Sequence, residues 1–421
     1  MLQRPLNKHV LIVSYDFLPC TAIGAAVRSS KFARYLPEFG WRTTVIARLQ
    51  SESPNAAKTE NVVRISAPKF PFSYQLTAWF WAIKAWFRLK DMIREQEFHL
   101  LYISCPPFPL GVLGMALAKK AALPLVVDFR DPWSLDPYRP KCRVKAMLKN
   151  LLCNRLWPGF EERILATADC FLVTTKSVRD AYTPHVPAGT RGPVLLPNGF
   201  DESDFKAVDR SQTGSVHRVP HPYLDLLYCG RFAGVGDRSP AWFFRSLRSL
   251  NDEGKAVHLR IIGDDSREIK RLIRETDTED IISARPMIDH QSAIENMRDC
   301  DALLVYQEAT SAGLSSVAGK TYEYLRSGKP IFAVAPQGDN IELIENFGGY
   351  FIACTEHSHE ATMGALRTLY SRWQSQSLPQ FSFPKAEYLR QYNRRALTGR
   401  LAGIFNEVLQ TRQEMPNRTR A

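Results

Sequence analysis

A lysine and a glutamate on one predicted helix are the residues whose types and spacing point most directly to chemistry. Lys320 and Glu323 stand in the stretch 315–334, where a glycine-containing loop runs into a short helix. Residues three apart project from one face of a helix. An ammonium group can neutralise a phosphate, and a carboxylate can accept two hydroxyls of a ribose. The helix start adds unpaired N–H groups, so the stretch predicts a seat for a diphosphate, with a solvated surface ion pair as the alternative.

A second group of polar and aromatic residues lies at the end of the apolar run 124–129. Asp128, Arg130, Asp131 and Trp133 stand at or just beyond the carboxyl end of this predicted strand. Ligands of open α/β sheets bind at such ends. Asp131 can position or deprotonate an acceptor hydroxyl, or it can pair with Arg130 for structure.

Two series of alternating apolar and amphipathic segments must position these residues. The apolar runs that predict strands are 9–14, 43–47, 100–104, 124–129, 170–175 and 193–197 in the first series, and 225–230, 258–263, 302–306, 330–335 and 349–353 in the second. Most are continuously apolar, as parallel strands are when helices cover both faces of a sheet. The repeated strand–helix–strand order predicts the α/β class, with two doubly wound, Rossmann-like domains facing a central cleft.

The domain boundaries follow from a change in composition between the two series. Residues 206–223 are polar, lack periodicity and contain a Pro–His–Pro turn, so they predict a linker. On this interpretation, 1–205 is an N-terminal, acceptor-side domain and 224–385 is a C-terminal donor-binding domain. Residues 386–421 form a last helix and tail, and this helix is a candidate to pack back across the first domain.

Composition argues against several classes of protein. The 8 cysteines form no CxxC pair and the 9 histidines form no HExxH motif, so we expect free thiols, no metal site and no cofactor. The apolar N-terminal run is cut short by Asp16, which argues against a signal peptide. No run reaches the about 18 apolar residues of a membrane span. These features predict a cytoplasmic protein.

The net charge of +12 is concentrated in one half of the chain. Residues 1–200 hold 27 Lys and Arg against 14 Asp and Glu, whereas the remainder holds 28 against 29. A basic half favours an anionic partner such as a membrane surface or a phosphorylated acceptor, although a solvated basic surface is the alternative. The stretch 70–90 adds aromatic side chains interleaved with lysines and an arginine. It predicts either peripheral docking at the inner face of the cell membrane or a helix whose aromatic residues lie in the core.

Residues 319–330 read GKTYEYLRSGKP. This motif resembles the donor-binding segment of retaining GT-B glycosyltransferases of glycosyltransferase family four, many of which carry GK-x-x-EYL-x-x-GKP at this place. The likeness extends over nearly the whole chain, through the stretches 13–41, 104–114, 128–133, 168–178, 195–205 and 228–240.

The resemblance implies transfer of a sugar, of hexosyltransferase type, from a nucleotide-diphosphate donor with retention and without a metal. The transition state is oxocarbenium-like, and the departing diphosphate gains charge that cations must stabilise. The implied acceptor is a glycan or lipid-linked glycan of cell-surface polysaccharide biosynthesis, and the nucleotide-sugar is a substrate rather than a cofactor. The implied catalytic residues are Asp131, Arg231 and Lys320.

The implied binding residues lie on both halves of the chain. Donor-binding roles fall to Gly24, Arg231, Arg238, Ser315, Ser316, Lys320, Glu323 and Asn340, and acceptor-side roles to Arg28, Asp128, Arg130 and Trp133. Gly24, which has no side chain, would let the backbone of the loop approach the diphosphate and sugar, with a plain turn residue as the alternative, while Arg28 would bind phosphate from the following helix. Pro286, Met287 and His290 lie in a loop before a helix, where enzymes of this family often bind the base of the nucleotide. Ser315 departs from the pattern, because many members have a glutamate there that touches the sugar.

Four other functions are weighed against glycosyl transfer. A sugar-nucleotide epimerase would share the fold but needs acid and base carboxylates that the sequence does not place. A non-catalytic nucleotide-sugar-binding protein of the same fold is favoured by Ser315. Nucleic-acid binding rests on charge alone, without a matching motif. A hydride-transfer enzyme is disfavoured because the first loop lacks GxGxxG.

Overall fold

The computed structural model describes residues 8–19, 23–49, 61–68, 74–135, 156–188, 190–211, 221–232, 239–383 and 386–414. The chain forms two compact units. Met1–Asn198 and Arg394–Ala421 together make up the first unit, and Gly199–Asn393 makes up the second. The chain therefore crosses between the units twice.

The first unit is built on a seven-stranded sheet in which neighbouring strands run parallel. Its strands are β1 (Lys8–Ser14), β2 (Trp41–Leu49), β3 (Val62–Ser66), β4 (Leu100–Cys105), β5 (Leu125–Phe129), β6 (Cys170–Val173) and β7 (Arg191–Leu195), in the order β3-β2-β1-β4-β5-β6-β7. The α-helices between them are α1 (Ile23–Tyr35), α2 (Tyr74–Glu95), α3 (Pro109–Ala121), α4 (Trp157–Thr167) and α5 (Lys176–Tyr182). The central strands β4 and β5 are buried along their whole length.

The second unit is built on a six-stranded parallel sheet. Its strands are β8 (Leu224–Cys229), β9 (Val257–Ile262), β10 (Ile282–Arg285), β11 (Ala302–Tyr306), β12 (Ile331–Val334) and β13 (Phe351–Cys354), in the order β10-β9-β8-β11-β12-β13. Its helices are α6 (Glu202–Ser211), α7 (Ala241–Asp252), α8 (Arg267–Glu275), α9 (His290–Asp299), α10 (Ser311–Ser315), α11 (Gly319–Ser327), α12 (Asp339–Phe347), α13 (His359–Gln374) and α14 (Ala386–Arg390).

Both sheets have the strand order of the Rossmann fold, so the prediction of two doubly wound, Rossmann-like domains is confirmed. The order reverses between β1 and β4 in the first sheet and between β8 and β11 in the second. Ligands of such sheets bind outside the carboxyl ends of the strands at this switch point. The loops after β8 and β11 are therefore the first place to look for a site in the second unit.

The last helix, α15 (Arg394–Glu414), packs into the first unit. Its side chains Leu397, Leu401 and Phe405 are fully buried in one cluster with Val10 and Trp41. The apolar spacing of the helix thus faces the sheet of that unit. None of the described helices is both long enough and apolar enough to cross a membrane.

The unit boundaries differ from those expected from composition. The first unit ends at Asn198 rather than at residue 205, because Phe200 and Phe205 are buried in the core of the second unit. Helix α6 covers the start of the predicted linker, and its polar sequence resembles that of a linker in composition. Tyr388, which lies beyond the predicted end of the donor-binding domain, packs against the same core.

Candidate functional site

Two glycines bring the loops after β8 and β9 together beside the switch point. Gly230 has φ +119° and Gly263 has φ +106°, conformations that side chains rarely adopt. A Cβ on Gly263 would lie 3.1 Å from the Cα of Gly230, so the two backbones are in direct contact. Buried Asp264 joins the same loops, because its carboxylate accepts hydrogen bonds from the N–H groups of Phe232 at 2.8 Å and Ser266 at 3.2 Å.

Lys320 lies above these loops, in the first turn of α11. Its Nζ lies 3.5 Å from the centre of the Tyr228 ring, and a Cβ on Gly230 would come within 3.0 Å of it. In the described part of the chain, Lys320 forms no ion pair with a carboxylate. Burial lowers the pKa of its ammonium to about 7, and the electrostatic influence of Cys229 and Glu323 opposes this only in part. An anion bound here would restore the charge of the lysine.

Glu323 is held by a histidine rather than by the lysine on its own helix. Its Oε1 lies 2.9 Å from Nε2 of His290, and Nδ1 of His290 lies 3.3 Å from Oδ2 of Asp204. Hydrogen bonds to Asp204 and Glu323 raise the pKa of His290 to about 10, so the ring is an imidazolium at neutral pH. The alternative of a solvated Lys320–Glu323 pair is therefore wrong.

Arg231 follows Gly230 and is exposed. Its carbonyl oxygen accepts a hydrogen bond from the Tyr228 hydroxyl at 2.9 Å, and among the described residues its guanidinium has no hydrogen-bond or ion-pair partner. The loop thus offers a second cation at the carboxyl end of β8. Arg238 lies outside the described residues.

The loop after β11 is joined to α12 through an amide chain. Gln307 donates from Nε2 to the carbonyl and hydroxyl oxygens of Ser316, both at 3.1 Å, and its Oε1 accepts from Nδ2 of Asn340 at 2.8 Å. Asn340 is 1% exposed, and its Oδ1 has no partner among the described residues. Ser315 is buried and donates to the carbonyl of Ser311 at 3.0 Å, which turns its hydroxyl into its own short helix. This hydrogen bond argues against a direct contact between the Ser315 side chain and the nucleotide-sugar.

Helices α11 and α12 both begin in this region without a side-chain cap. Their N-cap residues are Ala318 and Gly338, and neither has a side-chain acceptor for the backbone N–H groups of the first turn. A Cβ on Gly338 would lie 2.1 Å from the carbonyl oxygen of Leu314, so glycine is needed for the close approach of α10. The uncapped N–H groups at the start of α11, in the turn that carries Lys320, suit a diphosphate.

In the first unit, Arg28 and Asp128 form a buried ion pair instead of a ligand site. Nε of Arg28 lies 2.7 Å from Oδ2 of Asp128, and the side chains are 1% and 0% exposed. The guanidinium also donates to the carbonyl oxygens of Leu196 and Pro197, both at 2.8 Å, and the Tyr102 hydroxyl donates to Asp128. The predicted acceptor-side roles of Arg28 and Asp128 are corrected by this geometry, because their polar atoms are engaged inside the protein.

The remaining acceptor-side candidates separate in the same way. Trp133 is buried and stacks on Phe108 with ring centres 4.8 Å apart. Arg130 donates to the carbonyl oxygens of Cys105 at 3.2 Å and Pro106 at 2.6 Å, which fixes the loop after β4. Trp133 is therefore a core residue, which corrects its predicted acceptor-side role, whereas that of half-buried Arg130 stays a prediction. Asp131 is exposed at the surface of the first unit. Desolvation by the surrounding protein raises the pKa of its carboxyl, and the charge of Arg130 opposes this shift.

Residues 24–199 match the family model of a glycosyl transferase 4-like domain. The matched region begins at Gly24 in the first turn of α1 and ends where the chain first crosses to the second unit. No curated protein matches the sequence.

Solved structures resemble the whole chain at low sequence identity. Sucrose-phosphate synthase from Thermosynechococcus elongatus has a TM-score of 0.68 at 15% identity, covering 96% of this chain and 100% of that one. Anabaena HepE in complex with UDP and glucose has a TM-score of 0.62 at 15% identity, covering 95% and 100%. WaaG, a glycosyltransferase involved in lipopolysaccharide biosynthesis, has a TM-score of 0.60 at 14% identity, covering 94% and 99%. The two units thus have the GT-B glycosyltransferase fold.

Helix α2 divides its aromatic residues between core and surface. Trp81 is fully buried and donates from its indole N–H to the carbonyl of Ile65 at 3.0 Å. Ile83 and Phe87 are 54% and 58% exposed, beside exposed Arg88. The surface face of the helix is therefore apolar and basic, while its tryptophans serve the core.

Sequence reasoning missed Asp204, Gln307 and the pairing of His290 with Glu323. Gln307 follows the apolar run of β11, so its place at a strand end was a usable signal. Asp204 carried no such signal, because its partner His290 lies 86 positions away and no local pattern joins them.

Proposed function

We propose that the chain is a nucleotide-sugar-dependent glycosyltransferase that works with retention and without a metal. The observation that carries this proposal is the presence of two basic side chains at the carboxyl end of β8 in the second unit: Arg231, and Lys320, whose amine closely approaches the backbone of Gly230. The glycosyl transferase 4-like match of residues 24–199 and the GT-B fold support it.

The chemistry follows from where charge develops. When the bond between sugar and diphosphate breaks, the leaving group gains negative charge and the sugar becomes oxocarbenium-like. The ammonium of Lys320 and the guanidinium of Arg231 would stabilise that charge, and the uncapped starts of α11 and α12 would add N–H donors. Glu323 would accept the ribose hydroxyls, and Asp131 of the first unit would position the acceptor hydroxyl. Asn340 and Ser316 would support the donor through Gln307.

The relatives point to the first donor to test. The structure of Anabaena HepE contains UDP and glucose, and WaaG takes part in lipopolysaccharide biosynthesis. By this likeness we propose a UDP-sugar donor and an acceptor of the glycan or lipid-linked class, in the synthesis of a cell-surface polysaccharide.

A thermal-shift and calorimetric screen of nucleoside diphosphates and their sugar conjugates tests this function without an acceptor. A ligand that binds the native state raises its apparent stability by RT ln(1 + [L]/Kd). We expect one nucleotide to be preferred, and binding to be lost in Arg231→Ala and Glu323→Ala. Arg271→Ala, an exposed arginine in an i,i+4 pair with Glu275, is the matched control. No response to any nucleotide would reject the proposal.

A non-catalytic nucleotide-sugar-binding protein is the second candidate function. It is favoured by Ser315, whose buried hydroxyl donates to the carbonyl of Ser311 at a position where the family that the sequence resembles often has a glutamate. Such a protein binds the donor but neither transfers nor hydrolyses the sugar. Release of nucleoside diphosphate from the bound conjugate, measured in the presence of candidate acceptors, separates the two functions.

We also propose that the enzyme docks peripherally on an anionic membrane through α2. Four apolar side chains of this helix are about half exposed and recur at helical spacing: Leu76, Phe80, Ile83 and Phe87. Lys84 and Arg88 are exposed between and beside them. An apolar stripe flanked by cations suits the boundary between headgroups and acyl chains, where a lipid-linked acceptor would be presented.

A further inference from the structure

Glu323 and Lys320 project from one helix but do not pair. A glutamate and a lysine three positions apart on a helix ordinarily attract each other. Here Oε1 of Glu323 lies 2.9 Å from Nε2 of His290. Nζ of Lys320 instead lies over the Tyr228 ring, and in the part of the chain that the structure describes no carboxylate is within ion-pair distance of it. The histidine therefore competes with the lysine for this carboxylate and holds it.

His290 is itself fixed from two sides. It begins α9, whose N-cap residue Asp289 accepts a hydrogen bond from the Ser292 N–H at 2.9 Å. Its Nδ1 faces Asp204 of α6 at 3.3 Å, while its Nε2 faces Glu323. Since the ring is an imidazolium at neutral pH, both of its nitrogens donate, one to each carboxylate.

We propose that His290, held by Asp204, is a positioning residue that keeps Glu323 away from Lys320 and leaves the Lys320 ammonium available to the diphosphate of the donor. This inference rests on the proposed function of the same site. His290 then acts through Glu323 and Lys320, without touching the donor itself.

The other groups around Lys320 do not replace the missing carboxylate. From β8, burial raises the pKa of the Tyr228 phenol and raises that of the Cys229 thiol to about 12, so both are neutral near pH 7. Helix α12 also packs against α11 and carries Asp339 and Glu342, neither of which is ion-paired with Lys320. The carboxylate that His290 holds is thus the nearest anion on the same helix.

Proton uptake on binding reports the state of Lys320 directly. With a pKa of about 7, the amine is roughly one-tenth protonated at pH 8. A bound diphosphate raises that pKa, so binding takes up as much as ~0.9 proton at this pH. If Glu323 moved to Lys320, the amine would already be protonated and the uptake would disappear.

Calorimetric titration of inorganic pyrophosphate at pH 8, in two buffers of different ionisation enthalpy, measures affinity and proton uptake together. We expect uptake in the unmodified protein and none in His290→Leu, which should also bind pyrophosphate ~10-fold more weakly. The double variant H290L/E323Q should recover affinity and uptake, because the competing carboxylate is gone. Lys320→Met, which removes the titrating amine, should show no uptake.

The outcomes separate this inference from the proposed function. Unchanged affinity and proton uptake in His290→Leu, or no recovery in the double variant, would overturn the positioning role. The proposed function would still stand in that case, provided that the unmodified protein binds UDP. Failure of that protein to bind either UDP or pyrophosphate would overturn both. Asp204→Asn keeps the imidazole, so it supplies a second variant should His290→Leu not fold, and we expect a partial, ~3-fold loss of affinity.

Discussion

Lys320 and Tyr228 form a cation–π contact at the switch point of the second unit, with the ammonium nitrogen 3.5 Å from the ring centre. The phenol hydroxyl of the same tyrosine donates to the carbonyl oxygen of Arg231 at 2.9 Å. One buried aromatic residue thus supports the lysine through its ring and the loop of the arginine through its hydroxyl. The two supports can be removed separately.

Tyr228→Phe removes the hydroxyl and keeps the ring. We expect it to weaken UDP binding ~2- to 10-fold, because one hydrogen bond of about 0.5–1.5 kcal/mol no longer fixes the Arg231 loop. Tyr228→Leu should weaken binding further, since it also removes the ring beneath Lys320. Calorimetric Kd values test this order, and equal affinities in the two variants would contradict a role for the ring.

Lys320 makes stability depend on pH. Its pKa is about 7 in the folded protein against an ordinary 10.5, so between these values the unfolded chain binds more protons and stability rises with pH. Below pH 7 the cost of burying the charge is fully present. We expect Lys320→Met to raise Tm by a few °C at pH 6 and the gain to vanish near pH 10.5, as UDP binding is lost. Lys270→Met, at a 54% exposed lysine, should change Tm little at either pH, and a destabilised Lys320→Met at pH 6 would contradict the assignment.

Gly230→Ala tests the close approach of the loop to Lys320. The new Cβ would lie 3.0 Å from the amine, and φ of +119° is unfavourable for alanine. We expect about 1–2 kcal/mol lower stability and at least ~10-fold weaker UDP binding. Gly254→Ala is the matched control, because φ is +77° there and nothing lies within 4 Å of its Cβ. It should lose stability alone, and equal loss of binding in both variants would remove any special role for Gly230.

Asp128→Ala breaks the buried ion pair with Arg28. We expect a loss of about 3–5 kcal/mol in the free energy of unfolding of the first unit, since the guanidinium would be left buried without its counter-ion. Asp180→Ala, from an exposed pair with Arg179, should cost about 0–1 kcal/mol. Urea denaturation measures both. Unchanged stability in Asp128→Ala with a raised KM for acceptor would restore a ligand-binding role for these residues.

Phe87→Ser tests the membrane proposal on the exposed face of α2. We expect less co-sedimentation with anionic vesicles and no loss of Tm, because Phe87 is 58% exposed. Trp81 cannot serve for this test, since it is buried and its loss would damage the core. Met287→Ser removes a 53% exposed side chain from the second unit and is the control. Binding that is equal in both variants, or that does not weaken with salt, would count against docking through α2.

Most of the fold could be predicted because parallel strands that are covered on both faces have continuously apolar sequences. The two strands that were not predicted, β3 and β10, are edge strands. They are short and only partly buried, and Arg64 interrupts β3 while Arg285 ends β10, so they lack the continuous apolar pattern of the inner strands. Edge strands carry such charges because one side faces solvent.

The candidate site could be predicted only where its residues are close in sequence. Lys320 and Glu323 lie on one short helix, and their spacing of three residues was enough to predict that both belong to the site. Asp128, the partner of Arg28, lies 100 positions further along the chain. The sequence therefore indicated a charged residue near a loop, but it could not indicate that the residue is buried in an ion pair. The same limit hid the hold of His290 on Glu323, which depends on how α9 packs against α11.

The return of α15 to the first unit also sets the order of events during synthesis. Phe405 and its neighbours complete a core that includes Val10 and Trp41, yet the ribosome makes the whole of the second unit, Gly199–Asn393, in between. At about 5–20 residues per second, that interval lasts ~10–40 s. During this time the nascent first unit exposes an apolar face that only the end of the chain can cover, so a chain truncated before α15 should be a client of chaperones and prone to aggregation.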